Sequence, residues 1–197
     1  LDIYEARLYE SQGRWVDLKP LAINSKDYSS THPCISPDGQ TLFFVSNKED
    51  GFGGTDIYVS YKKGNAWGAP VNLGTGINTP GNEMYPYLAD DGTLYFASDS
   101  RSGLGGLDIY SAQFKEGVWG NVKNLGAPIN SEGDDFSICL KDDGKIGFFA
   151  SNRYGNDDLF RFEINKIAGP QIDIVIMDRS GENFVSGAQV KLIEQGA

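Results

Sequence analysis

The 197-residue chain has one histidine, His32, and two cysteines, Cys34 and Cys139. A lone histidine permits at most one Ser-His-Asp or Cys-His constellation, and two cysteines cannot build a four-thiolate zinc site. Positive charge is scarce: 17 Lys and Arg stand against 27 Asp and Glu, a net charge of −10. A phosphate backbone needs a basic footprint, so this balance argues against a nucleic-acid partner. No apolar run approaches the roughly 20 residues of a membrane-spanning helix. Helical stretches are missing too, because Gly and Asn interrupt every window long enough to hold one. What is plentiful is glycine (25 residues), aromatic residues (12%) and hydrophobic residues (40%). That mixture can fill a core, and it suits many short strands joined by tight turns. The opening Leu1-Asp2-Ile3-Tyr4 already reads as a strand, so a processed or excised piece of a longer protein is expected.

An internal repeat organises the chain. The three tryptophans, Trp15, Trp67 and Trp119, are 52 residues apart. Asp56-Ile57-Tyr58 recurs as Asp108-Ile109-Tyr110, more loosely as Asp158-Leu159-Phe160, and earlier as Asp2-Ile3-Tyr4. Ser36-Pro37-Asp38-Gly39 answers to Ala89-Asp90-Asp91-Gly92 and to Lys141-Asp142-Asp143-Gly144. An aromatic run ending in serine follows each Asp-Gly (residues 42–46, 94–98 and 147–151), and Ile23-Asn24, Ile77-Asn78 and Ile129-Asn130 lead into each unit. A unit therefore resolves into four strands. One precedes the Asp-Gly turn, the aromatic run makes the second, Asp-Ile-Tyr the third, and the Trp segment the fourth. Four antiparallel strands repeating about every 52 residues predict an all-β fold of propeller blades. The count is 13 strands: the last two of one blade, two whole blades, and the first three of another. That falls short of a closed ring, and after Pro170 the repeat stops.

These motifs resemble the PD40, or WD40-like, β-propeller repeat, and His32–Tyr58 fits that pattern almost throughout. The third copy departs furthest, with Lys141-Asp142 in place of Ser-Pro. Residues 1–167 are accordingly expected to form a partial propeller of about three to four blades. In residues 168–197, Asp178-Arg179-Ser180-Gly181 and Gly187-Ala188-Gln189-Val190 resemble the first hairpin of a carboxypeptidase-regulatory-like sandwich, cut short. A propeller leading into such a domain resembles outer-membrane-associated proteins of the OmpA family in Bacteroidota, including PorE-like components of type IX secretion. The resemblance implies a non-enzymatic scaffold in the periplasm, near the outer membrane, that binds other proteins of a complex. Peptidoglycan binding would belong to a domain outside this chain. Completion of the ring would come from upstream blades or another chain. Two alternatives remain open, a carbohydrate or cell-wall binding propeller and the accessory propeller of a serine peptidase.

Candidate chemistry reduces largely to structure. His32 is expected to pack, because the repeat places Tyr85 and then Phe136 in its slot. Cys34 and Cys139 sit in alternate blades, too far apart to pair, and are expected as free, buried thiols. Gly51–Gly54 and Gly103–Gly106 precede strands instead of opening helices, so they read as positive-φ loops and not as phosphate cradles. A weak calcium site around Asn47–Asp50 is conceivable, although Arg101 and Arg153 occupy the equivalent loops. No cofactor and no metal are expected. Asp56, Asp108 and Asp158 fall one per blade and suit carboxylates that cap their own loops. The long connections (47–55, 74–83, 99–107 and 126–135) should share one face of the disc. On them, Phe52, Leu104 and Tyr154, with Arg101 and Arg153, are the candidate partner-binding residues. The three apolar tips are expected to fold inward and close the edge of the core.

Overall fold

The structure, a computed structural model, describes residues 1–141 and 144–164. The regulatory-like hairpin expected at 168–197 lies outside the described residues. The architecture is an open β-propeller. Blade I contributes β1 (Tyr4–Tyr9) and β2 (Arg14–Pro20), joined through a single 3₁₀ turn at Glu10–Gln12. Blade II holds β3 (Ser30–Ile35), β4 (Thr41–Ser46), β5 (Asp56–Lys63) and a fourth strand in two pieces, β6 (Ala66–Trp67) and β7 (Val71–Asn72). Blade III is β8 (Glu83–Leu88), β9 (Leu94–Ser98), β10 (Asp108–Lys115) and β11 (Val118–Asn124). Blade IV is β12 (Asp135–Lys141), β13 (Ile146–Ser151) and β14 (Asp158–Glu163). Every sheet is an antiparallel meander in chain order, as the repeat requires. The split in blade II follows from Gly68-Ala69-Pro70: Pro70 has no N–H for the ladder, and the Gly68 amide instead donates to Tyr61 O.

Apolar clusters lie between the blades, not within them. Alternation on β4 sends Leu42 and Phe44 toward blade I and Phe43 and Val45 toward blade III. Phe96, Leu94 and Tyr110 meet the latter pair from the other side. Ile109 faces Ile138 and Phe149 of blade IV.

The Ile-Asn motif explains how successive units engage. The buried Asn78 side chain accepts from Ile57 N (2.8 Å) and donates to Ile57 O (3.0 Å). Asn130 does the same at Ile109 (2.8 and 2.9 Å) and Asn24 at Ile3 (2.9 and 2.7 Å). Each asparagine thus serves the backbone of the Asp-Ile-Tyr strand 21 residues earlier, at a point where the fourth strand diverges.

Two expectations need correction. Cys34 and Cys139 are both free, but Cys34 is half-buried and Cys139 exposed, because these inner strands line an open channel instead of a packed core. Burial pushes the Cys34 thiol up. Less of it is thiolate near neutral pH, so alkylation followed by peptide mass spectrometry should find Cys139 modified well before Cys34. The slot of His32 is also one residue off in the third copy. His32, Tyr85 and Ser137 are the equivalent left-handed residues (φ 46°, 54° and 57°), each inside a bulge of β3, β8 or β12. All three bulges have the same register, so in the third copy the ring comes from Phe136, one position before the left-handed Ser137.

Candidate functional site

The long connections do share one face, and they are locked together. Gly54 N donates to Gly81 O (2.7 Å) and Glu83 N to Thr55 O (2.8 Å), beside a parallel bridge between Thr55 and Asn82. One blade on, Gly106 N donates to Gly133 O (3.3 Å) and Asp135 N to Leu107 O (2.6 Å). The glycine clusters do not owe their glycines to positive φ, since none of Gly51, Gly53, Gly54, Gly103, Gly105 or Gly106 adopts it. They are needed for close approach. A Cβ on Gly53 would collide with the Thr79 and Gly81 carbonyls, and one on Gly105 with those of Gly133 and Ser131.

The buried aspartates organise the loop tips, as the sequence implied for two of them. Asp56 Oδ2 accepts from Phe52 N (2.5 Å) and from Asn72 Nδ2 (2.9 Å), and Asp108 Oδ2 accepts from Leu104 N (2.6 Å). Asp158, in the shorter third loop, is exposed. At Phe52 and Leu104 the tip backbone is held from below, and the side chain projects outward. Phe52 is 48% exposed, Leu104 52% and Tyr154 79%, which overturns the inward expectation.

The edge of the core is occupied by cations instead. Lys48 lies over the Tyr28 and Tyr58 rings (5.5 and 5.3 Å), Arg101 over Phe96 and Tyr110 (5.8 and 6.0 Å), and Arg153 over Phe149 and Phe160 (5.1 and 4.7 Å). Arg101 Nη2 also donates to Ile77 O (2.6 Å). Arg153 donates to Ile129 O (2.6 Å), Pro128 O (2.9 Å), Ser151 Oγ (2.8 Å) and the fully buried Asp135 carboxylate (2.7 Å). Arg101 Nη2 and the Arg153 guanidinium thus turn inward to the scaffold, while Arg101 Nε is buried without a partner. Sequence reasoning missed this clamp, whose signal was a cation following each aromatic-Ser strand. In the loop considered for calcium, the Lys48 ammonium itself reaches Asp50 (3.2 Å).

The carboxylates of the same face stay at the surface. Glu49, Asp50, Asp99, Glu132 and Asp157 are exposed, so the apolar tips stand in a negative field.

In the channel formed by the inner strands, His32 stacks on Tyr85 (4.0 Å between ring centres) and Tyr85 on Phe136 (5.0 Å). Nδ1 of His32 is buried without a partner. This is a packing role across three blades. Burial pushes the His32 pKa down. The unfolded chain therefore binds the proton first, and stability falls as pH drops below about 6.5 toward the depressed folded value. His32→Phe should keep the fold and lose that part of the pH dependence, measured as the difference between wild-type and variant urea midpoints from pH 7.5 to 5.

This geometry defines a β-propeller, and comparison with solved structures agrees. The chain is similar to a puromycin-hydrolysing peptidase of Mycobacterium tuberculosis (18% identity, TM-score 0.51), over 74% of this chain and 22% of that one. It is also similar to a protein assigned as TolB from Agrobacterium tumefaciens (20% identity, TM-score 0.50), over 82% of this chain and 58% of that one. At such identity the likeness establishes the fold alone, and the chain spans well under two thirds of either neighbour. No family model matches the chain, and no curated protein matches it.

Proposed function

We propose that this propeller is a non-enzymatic protein-binding scaffold of the bacterial periplasm, near the outer membrane, of the PorE-like kind that its repeat resembles. The observation that carries this reading is the row of three exposed apolar tips, Phe52, Leu104 and Tyr154, on loops of the same face, the first two with their backbone held by a buried aspartate. Rigid aromatic and aliphatic projections lose little entropy on binding, which suits them as anchors. The surrounding carboxylates favour a partner whose contact surface is apolar and rimmed by lysine or arginine. Ring completion by upstream blades or another chain remains part of this reading, because blade IV has three strands among the described residues.

The test pairs wild type with the triple variant Phe52→Ser, Leu104→Ser, Tyr154→Ser. Immobilised protein is probed with purified outer-membrane protein complexes of a Bacteroidota species, and in parallel with peptidoglycan sacculi and with chromogenic aminopeptidase substrates. Binding of a protein complex that drops at least tenfold in the variant, at unchanged thermal stability, is the expected result. Sacculus binding or peptide hydrolysis by the wild type would replace the scaffold reading with one of its two rivals.

A further inference from the structure

The hairpins joining the third and fourth strands of blades I, II and III end on the plain face, opposite the long connections. Trp15, Trp67 and Trp119 hold one ladder position there, paired across the hairpin with Leu8, Lys62 and Phe114. The next pairs outward are Tyr9 with Arg14, Lys63 with Ala66, and Lys115 with Val118. These six pairs hold five aromatic rings and four cations, and none of their residues is a carboxylate. The turns beyond them add Glu10 and Glu116, so the three ends carry a net +2 in a chain of net −10.

Trp67 and Trp119 are half-buried, and the other side chains of these pairs are exposed, Phe114 by 52% and Val118 by 65%. The Lys62 ammonium lies 5.6 Å over the Trp67 ring, and Phe114 meets Trp119 at 5.3 Å. The hairpins also run past the inner strands. β10 continues three residues beyond Ala112, the last to pair with β9, and β5 two beyond Tyr61, the last to pair with β4. The Asp-Gly turns that carry Asp38, Asp90 and Asp91 join the first and second strands nearer the axis, apart from this rim.

Aromatic rings beside lysine and arginine suit a lipid–water boundary, where rings settle among headgroups and long cationic side chains keep their charge at the phosphates. Blades repeat by rotation about one axis, so equivalent hairpins stand at one height and a planar surface can touch all three. Local positive charge in an acidic chain selects an anionic surface. We propose that the hairpin rim of the plain face docks on an anionic lipid bilayer. Tyr9, Phe114 and Val118 enter the headgroup layer, and Arg14, Lys62, Lys63 and Lys115 meet lipid phosphates. The long connections, with their carboxylates, then face away from the bilayer. Blades II and III have all four strands, so their hairpins do not depend on how the ring closes. The rim shares no residue with the loop tips, and the two readings can fail separately.

The full chain is mixed with vesicles of phosphatidylcholine and phosphatidylglycerol, or of phosphatidylcholine alone, and flotation separates bound from free protein. Binding to the anionic vesicles is the expected result, at least tenfold weaker on phosphatidylcholine alone and in about 0.5 M salt. Lys62→Gln, Lys63→Gln and Lys115→Gln together should weaken it at least tenfold. Phe114→Ser with Val118→Ser should do the same at low salt, and both variants should melt as wild type does. If the serine variant fails to fold, the lysine variant decides, because its three side chains are exposed. The loop-face triple variant should float like wild type. No flotation with anionic vesicles, equal flotation on phosphatidylcholine alone, equal flotation of the lysine variant, or an equal loss in the loop-face variant would each overturn the proposal. Binding of an outer-membrane protein complex that drops in the lysine variant, with no vesicle binding by wild type, would make the rim a protein interface instead.

Discussion

Asn130→Ala should destabilise the propeller by about 3 kcal/mol, because it removes three hydrogen bonds at once, two of them buried, and strands the Ile109 amide. Ile109 O keeps a second donor, Leu125 N at 3.1 Å, and Asn124 Oδ1 keeps Gly126 N at 2.7 Å, so the loss falls mainly on the Ile109 N–H. Asn130→Asp is informative because it changes only the donor. Its carboxylate can still accept from Ile109 N but turns a second oxygen toward Ile109 O, so it should be nearly as damaging at pH 7. It should recover partly near pH 4, where a protonated carboxyl can donate again. Urea midpoints of the three proteins at the two pH values are the measurement. A loss below about 0.5 kcal/mol for the alanine variant would mean that the strand carries itself without the asparagine.

Gly105→Ala should cost a comparable amount, about 3 kcal/mol, by a different route. The added methyl would meet the backbone carbonyls of Gly133 and Ser131, which cannot rotate away as a side chain would. The two loops must then separate, which endangers the Gly106-to-Gly133 and Asp135-to-Leu107 hydrogen bonds. Gly64→Ala provides the contrast. That glycine has φ +60° with open space around it, so only the left-handed backbone penalty of about 1 kcal/mol applies. Hydrogen exchange at the Asp135 amide should accelerate in the Gly105 variant and stay unchanged in the Gly64 variant. Equal melting points for the two would remove the loop-to-loop lock from the account of this face.

The repeat was legible in the sequence because it is a periodic constraint. Asp-Gly turns, aromatic runs and Asp-Ile-Tyr recur wherever a four-stranded meander must form, and local chemistry alone imposes them. The asparagines were visible as motifs too, but their partners were not, since a bond across 21 residues has no local signature. The same gap explains the arginines. Arg101 and Arg153 looked available because their loops are on the surface, yet aromatic faces and carbonyls beneath those loops claim the guanidinium groups. With cations filling the rim, Phe52, Leu104 and Tyr154 had no place inside. Likewise the thiols were rightly unpaired but wrongly buried, because strand alternation says which way a residue faces and not what stands opposite.

By itself, the sequence determined the strand count, the meander order and the division between an elaborated and a plain face. Each follows from turn chemistry and from period-two patterning within about 50 residues. Only the tertiary structure decided which side chains bind the scaffold and which remain free at its surface. That choice depends on competition for space and for hydrogen-bond partners between blades, among groups that lie far apart along the chain.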